Sequence, residues 1–524
     1  MIRWTVETGA RPFTAPMVVS RIQASERVLL AGAAYEEGLT RMRHALDQGD
    51  TLAAVRHLRH ARSQPGFGRG AEALTAWGDL YRRLPRITLK GGWESFALPG
   101  HAGEVAAVAV TPDGRRALTA SHDQTARLWN IDDRTAIRTL AGHGSRVTAA
   151  AFSHDGRLAL TASADTTLTL WESDTGERLA TMTGSTGPIN AAALSPDGAV
   201  ALSGGDDMMV RVWGTRQGIL ARTLRGHGGP VLAVALHPGG RLALTGADDR
   251  TARLWDIATG QSLRVLSGHR GKVTGVALSL DGARALTASA DGTAILWDLA
   301  DAKPLSTMNA GAPIASLALS FDNRFALTGD ADRSIRLWEL SGGHDLRIFD
   351  AGGAGVNGLA FAADGRFALS AGADGLVRHW TLDWELAERD RGEWDEAAAV
   401  YLTDFLTRHT PYVGVFPAGR APFEKEVVRA LSKEGAPIYD ATDVDDLMTH
   451  LGYAGFGWLT RGGVENRLKG MAKKWTTPPT PIEPPDEPAE AEEEEGFDSQ
   501  AATEIGAAHT TGLTGWMRSL TSRR

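Results

Sequence analysis

Between Glu104 and Trp380 the chain alternates short apolar runs with small turn-forming clusters, and the alternation is periodic. One period reads Val273-Thr-Gly-Val-Ala-Leu278, then Asp281-Gly282, then Arg284-Ala-Leu-Thr287, then Thr293-Ala-Ile-Leu-Trp297. Short runs joined by Asp-Gly predict antiparallel strands and tight hairpins, because that dipeptide accepts the positive φ of the turn. The turn recurs at Asp113-Gly114, Asp155-Gly156, Asp197-Gly198 and Asp364-Gly365, with Gly239-Gly240 and Asp322-Asn323 as variants. Trp129, Trp171, Trp213, Trp255, Trp297, Trp338 and Trp380 fall 42, 42, 42, 42, 41 and 42 residues apart. Three strands plus a connecting fourth fill such a unit, which cannot bury its faces alone. The pattern predicts a ring of β-blades rather than a helical solenoid.

Outside this region the period changes to that of a helix. Tyr35, Leu39, Met42 and Leu46 form one stripe, and Leu52, Val55 and Leu58 a second, with Asp50 or Thr51 as its cap. A third helix is expected from Ala71 to Leu84, after Pro65-Gly-Phe-Gly-Arg-Gly70. That loop follows a helix and not a strand, so it is not a nucleotide fingerprint. Arg56, Arg59 and Arg62 read as a solvated helix face. After the repeats, helices are expected over Trp394–His409, Phe423–Lys433, Thr442–Leu451 and Val464–Trp475. Asp445 is placed for a capping box, and the acids Asp443, Asp445 and Asp446 suit a helix start better than a cation site.

Within each repeat a second set of residues keeps register. His101, His143, His227 and His269 each follow a glycine, and 22 residues later comes an aspartate: Asp123, Asp165, Asp249 and Asp291. Thr119, Thr161, Thr245 and Thr287 stand four residues before those acids, and Trp129, Trp171, Trp255 and Trp297 six after. The other three repeats carry the aspartate (Asp207, Asp332, Asp374), the hydroxyl (Ser203, Thr328, Ser370) and the tryptophan. They have Gly184-Ser185, Asn309-Ala310 and Ala351-Gly352 in place of Gly-His. On these residues the chain resembles the WD-repeat family. The resemblance implies a seven-bladed β-propeller in which Asp, His, Ser/Thr and Trp form a buried structural relay. It also implies that the three blades without histidine are the looser part of the ring. The segment Gly91–Leu98 matches the strands preceding later Gly-His pairs and has no blade of its own. It is expected to complete the seventh blade and close the ring, which removes exposed edges. The opening Met1–Gly9 likewise resembles a blade's last strand, as if derived from a longer architecture.

The fold expected is mainly β, a seven-bladed WD-type propeller with small α-helical N-terminal and C-terminal domains and a disordered acidic tail. The boundaries are an extended segment 1–20, a hairpin-like helical domain 21–88, the propeller 91–383, a helical domain 384–475, a Pro/Glu-rich linker 476–500 and a C-terminal peptide 501–524. Charge sharpens this division. The whole chain carries −8, and Glu483–Glu495 alone holds eight acids and no Lys or Arg, so the folded remainder is close to neutral. A phosphate backbone selects a basic surface, so nucleic acid is not an expected partner. No run long enough for a transmembrane helix and no secretory pattern occurs, and the expected location is the cytoplasm. There is no cysteine.

No motif for a nucleophile elbow, zinc-protease helix, phosphate loop or kinase is present, and no cofactor or metal is expected. The family resemblance implies a non-catalytic scaffold that binds one or more proteins, here in a bacterial cytoplasmic complex, the bacterial source being read from Arg-, Ala- and Gly-rich usage. The alternatives are a sensor or regulatory subunit of a kinase or NTPase system, including cellular defence, and a catalytic propeller. Expected contact positions are His122, Asp206 and Asp248, each preceding a turn aspartate. Trp516, Met517 and Leu520 form an amphipathic docking peptide beside three arginines.

Overall fold

The computed structural model describes residues 15–353 and 355–479, with side chains from Arg27 onward. Among the described residues, twenty-eight strands form seven four-stranded antiparallel sheets. Blade 1 shows the plan. Strand A is Val105–Val110, B is Arg116–Ser121, C is Thr125–Asn130 and D is Thr135–Ala141. The Asp-Gly turns join A to B. Asp113 shows how they hold: its carboxylate accepts from the Thr111 hydroxyl at 2.5 Å and the Arg115 amide at 3.0 Å, and Gly114 adopts φ +71°. Every A–B pair carries a register shift after its first residue, and in blades 1 to 6 the C–D pair carries another next to the tryptophan. Such bulges increase the twist that a blade needs.

The blades are wedged by their tryptophans, which are 0–4% exposed. Trp171 of blade 2, for instance, lies in one apolar cluster with Leu118, Ala120, Ala126 and Leu140 of blade 1. Burying such a ring contributes about 3 kcal/mol or more by area. Around the channel, polar side chains on strand A reach the next blade's backbone: Thr148 to Ile189 O at 2.7 Å, Asn190 to Val231 O at 3.1 Å, Thr274 to Ile314 O at 2.7 Å and Ser316 to Val356 O at 3.0 Å. Asn357 to Val105 O, 3.2 Å, joins blade 7 to blade 1. On the outside, Arg222 and Arg264 of two D strands donate to Ala258 O and Ala300 O of the following blades, at 2.8 and 3.1 Å.

The ring closes as expected. Strand Arg86–Leu98 pairs antiparallel with Val377–Leu386 and supplies the fourth strand of blade 7, with Trp93 opposite Thr381 and Leu98 opposite Val377. Both strands run beyond the blade and form a ribbon on which the N-terminal helices sit. Those helices are α1 (Ala15–Asp47), α2 (Thr51–Arg62) and α3 (Ala71–Leu80). Asp50 caps α2, its carboxylate accepting from Ala53 N at 2.9 Å. α1 begins inside the 1–20 stretch expected to be extended: Pro16 stands in its first turn, where a missing N–H costs nothing. The closing strand starts at Arg86, inside the range assigned to helices.

On α2 the expected solvated arginine face holds for Arg56, 64% exposed, and fails for Arg62. Arg62 is buried and pairs with the buried Asp383 at 2.5 Å, while Arg56 and Arg59 reach Glu388 at 2.8 and 2.9 Å. Helical periodicity showed these cations sharing a face, but the strand that covers them lies over 300 residues away. Trp77 of α3 and Tyr81 at its C-cap add bonds to the same strand, Nε1 to Trp384 O at 2.8 Å and hydroxyl to Leu382 O at 3.2 Å.

The C-terminal block is a short 3₁₀ turn, Glu396–Ala398, followed by α4 (Ala399–His409), α5 (Glu424–Leu431), α6 (Ala441–Tyr453) and α7 (Arg461–Ala472). Its core joins Leu402, Phe405, Leu406, Leu447, Leu451, Val464 and Leu468. The capping box of α6 is not at Asp445. Asp440 is the cap, accepting from Thr442 N and Asp443 N, and Asp443 returns a bond to Asp440 N at 2.8 Å. Two acids three residues apart occur twice in this stretch, and the helix starts at the earlier pair. Asp445 pairs instead with Arg461 of α7.

Candidate interaction site

Each blade presents two ends. The loops entering strand A and the turns between B and C lie on one face, and the A–B and C–D turns on the other.

On the first face the four histidine blades build one arrangement. In blade 1, His101 Nδ1 lies 2.8 Å from Asp123 Oδ2, His101 Nε2 lies 2.8 Å from Thr119 Oγ1, and Trp129 Nε1 donates to Thr119 Oγ1 at 2.9 Å. In blade 2, His143, Asp165, Thr161 and Trp171 make the same bonds at 3.0, 2.8 and 2.8 Å. Blade 4 has His227, Asp249, Thr245 and Trp255 at 2.9, 2.7 and 2.8 Å. Blade 5 has His269, Asp291, Thr287 and Trp297 at 3.3, 2.7 and 2.8 Å. Donor counting gives one direction: indole N–H to hydroxyl, hydroxyl to Nε2, and Nδ1–H to carboxylate. The aspartate also holds both neighbouring loops. Asp123 accepts from Ala102 N at 3.1 Å and from the Thr125 hydroxyl at 2.7 Å.

Threonine, histidine and aspartate in this order have the connectivity of a hydrolase triad, but not its access. All four threonines are 0% exposed, and their hydroxyl lone pairs already receive an indole N–H. Burial pushes His101, His227 and His269 below the usual imidazole pKa, against the pull of their aspartates. Burial alone would raise the carboxylates, yet the bonds they accept bring Asp249 and Asp291 down to about 2. The pairs are therefore neutral imidazole with carboxylate, fixing turns.

In the three blades without histidine an arginine engages an acid of the turn, although Asp330 Oδ1 in blade 6 is buried without a hydrogen-bond partner. The residue four after the turn aspartate takes over. In blade 3, Arg211 meets Asp207 at 2.7 Å and also donates to the Ser185 hydroxyl at 3.2 Å. In blade 7, Arg378 meets Asp374 at 2.5 Å. In blade 6, Arg336 turns instead to Asp330, a fully buried acid two residues earlier, at 3.1 Å. Arginine at this position was visible in the sequence, but Arg127 and Arg253 occupy it in histidine blades, so the position alone carried no signal.

His122, Asp206 and Asp248 all lie on this first face and are exposed. His122 pairs with Glu104 at 3.1 Å, and Asp206 accepts from Asn190 at 2.8 Å. Met208, 43% exposed, lies in the same turn as Asp206 and was not expected as a contact. Trp516, Met517 and Leu520 lie outside the described residues, as do the acidic segment and Met1–Gly9.

The opposite face is covered by the chain itself. The C-terminal block lies on the A–B turns of blades 2 to 7: His450 packs on His154 with ring centres 4.5 Å apart, and Tyr401 on Phe321 at 5.9 Å. Tyr412 lies against Asp197, Leu280 joins the block's core, and Arg86 donates to Tyr453 O at 2.9 Å beside Asp364. Phe416 fills the cluster between blades 3 and 4, where Gly214 leaves room for its ring. By contrast, no hydrogen bond, ion pair or ring contact links the Gly-His loops or B–C turns to α1–α7 among the described residues.

The family model for the WD domain, G-beta repeat, matches residues 92–130, 134–172, 176–214, 218–256, 260–298, 302–339 and 343–381. The chain belongs to the WD-repeat family. The first matched unit starts in the strand that completes blade 7, so each WD repeat is offset by one strand from its blade, and the offset closes the ring. WD propellers are generally non-catalytic interaction scaffolds. Among the described residues no group of three His, Asp or Glu could hold a metal ion, and no helix is long and apolar enough to cross a membrane. No curated protein matches the chain.

Proposed function

We propose that this WD-repeat protein is a non-catalytic scaffold that docks protein partners on its first face, the one carrying the Gly-His loops. The observation that carries this reading is the asymmetry of the ring: one face is packed under the chain's own helices, the other bears exposed turns. His122, Asp206, Met208 and Asp248 are the contact positions. A cytoplasmic bacterial complex is the setting, supported by composition alone, and the C-terminal peptide with Trp516, Met517 and Leu520 is a second, tethered contact. Combining His122→Glu with the charge reversals Asp206→Lys and Asp248→Lys is expected to remove partners recovered with the intact chain. Val415→Asp, on the outer surface of the helical block, leaves them bound. Loss with Val415→Asp and retention with the triple variant would place docking on the block instead.

A further inference from the structure

Where the helical block meets the A–B turns of blades 2 to 4, it encloses a cavity of about 230 Å³. Four nitrogen-bearing side chains from three separate stretches line it: His154 from the turn of blade 2, Arg408 and His409 from the end of α4, and Lys433 from the segment after α5. His409 is satisfied, with Nδ1 2.8 Å from Phe405 O and Nε2 3.4 Å from Asp443, but the other three are not. Arg408 gives Nε to Asp404 at 2.9 Å, and neither of its terminal nitrogens has a hydrogen-bond partner among the described residues. Lys433 Nζ donates to Thr407 O and Arg408 O at 3.1 and 3.3 Å, which covers the negative end of α4, and lies 4.8 Å from the centre of the Tyr412 ring. His154 Nε2 is buried with no partner.

The carboxylates of the same wall are each engaged through Oδ1. Asp197 accepts from the Ser195 hydroxyl and Ala199 N, and Asp155 from the Ser153 hydroxyl and Arg157 N. The free terminal nitrogens of Arg408 thus share this region with carboxylates engaged at one oxygen, and Asp404 Oδ1 beside them is buried without a partner. We infer that this cavity binds the oxyanion group of a small molecule, a phosphate or a carboxylate, on the terminal nitrogens of Arg408 with Lys433 and His154 beside it. A planar guanidinium fork with two free amino groups matches such a group. The second, larger cavity of about 530 Å³ shares Lys433 and has Leu242, Leu280, Val400 and Leu431 in its wall, which suits an apolar remainder of the same molecule. A ligand here would hold the block to the ring at the face opposite the docking turns, so the site stands or falls independently of the proposed partner face.

Calorimetric titration of the full-length chain with inorganic phosphate, and separately with sodium acetate, at constant ionic strength distinguishes the two headgroups. One saturable site is expected for at least one of them. Arg408→Lys keeps a cation for Asp404 but loses the fork, and is expected to weaken binding about 10-fold, the effect of roughly one good hydrogen bond to a charged group. His154→Gln, on the ring side, weakens it several-fold. Should Arg408→Lys not fold, His154→Gln and Lys433→Met carry the test. Non-saturating heats, or equal affinity in folded variants, would overturn the site.

Discussion

Arg211 stands in for a histidine 26 residues upstream, and that substitution can be measured. Its guanidinium and Asp207 are 7% and 11% exposed at 2.7 Å, so the pair is nearly desolvated. Removing one member of a buried pair costs about 3–5 kcal/mol, because the other charge stays behind. In Arg211→Met, Asp207 keeps the Thr186 amide and hydroxyl at 3.1 and 2.7 Å and the Met209 amide at 3.2 Å, so a loss near the lower end, about 3 kcal/mol, is expected. Asp207→Asn leaves the guanidinium with Ser185 and costs about the same. The double variant removes both charges and should cost only about 3–4 kcal/mol, a coupling of about 2–3 kcal/mol. A seven-bladed ring need not unfold in one step, so the readout is native-state hydrogen exchange of amides in Val200–Leu224, the last three strands of blade 3. Ser185→His, at the position of His143 and His227, should recover part of the loss in Arg211→Met. Additive single variants with coupling under about 0.5 kcal/mol, or no effect of Arg211→Met, would refute the replacement.

Gly92 tests the closure: a Cβ there would meet Phe349 Cε1 at 2.6 Å and Cζ at 2.9 Å, so Gly92→Ala should lower the melting temperature by several degrees, read by calorimetry, while Gly91→Ala changes little. The packing of the block should be acid-sensitive. Burial, with Arg408 close by, pushes His450 down to about 4 and His154 to about 2. An imidazole depressed on folding gives stability that is complete above its unfolded value of about 6.5 and declines as pH falls toward the folded value. Thermal unfolding between pH 7 and 4 should show that decline, and His450→Gln should flatten it. Burial outweighs the bonds from Ser334 and Arg336 at Asp330, whose carboxyl rises to about 6. Its protonated form is favoured on folding, so this group alone loses stability as pH rises through 6, and Asp330→Asn should remove that component.

The blades were legible because period two, Asp-Gly turns and one tryptophan per unit each point to the same strands. Closure was legible from one matching strand, Gly91–Leu98, that lacked a blade. The helices were legible from stripes such as Tyr35, Leu39 and Met42, but their partners were not: nothing local in Arg62 names Asp383, and nothing in His450 names His154. The arginine relay was hidden for another reason. Arg127, Arg211 and Arg253 share one repeat position, and what each does depends on whether a histidine already holds the aspartate. The position of the C-terminal block, which decides the open face, depends on contacts spread over six blades and has no sequence signature.

The central claim is that partners dock on the Gly-His face while the chain's own helices occupy the other. Hydrogen exchange of the intact chain, alone and saturated with a partner that the triple variant at His122, Asp206 and Asp248 fails to bind, tests it most directly. Protection is predicted at the B–C turns Ser121–Thr125, Gly205–Met209 and Ala247–Thr251, with the A–B turns unchanged. Protection confined to the A–B turns, or to the surface of α4–α7, would contradict it.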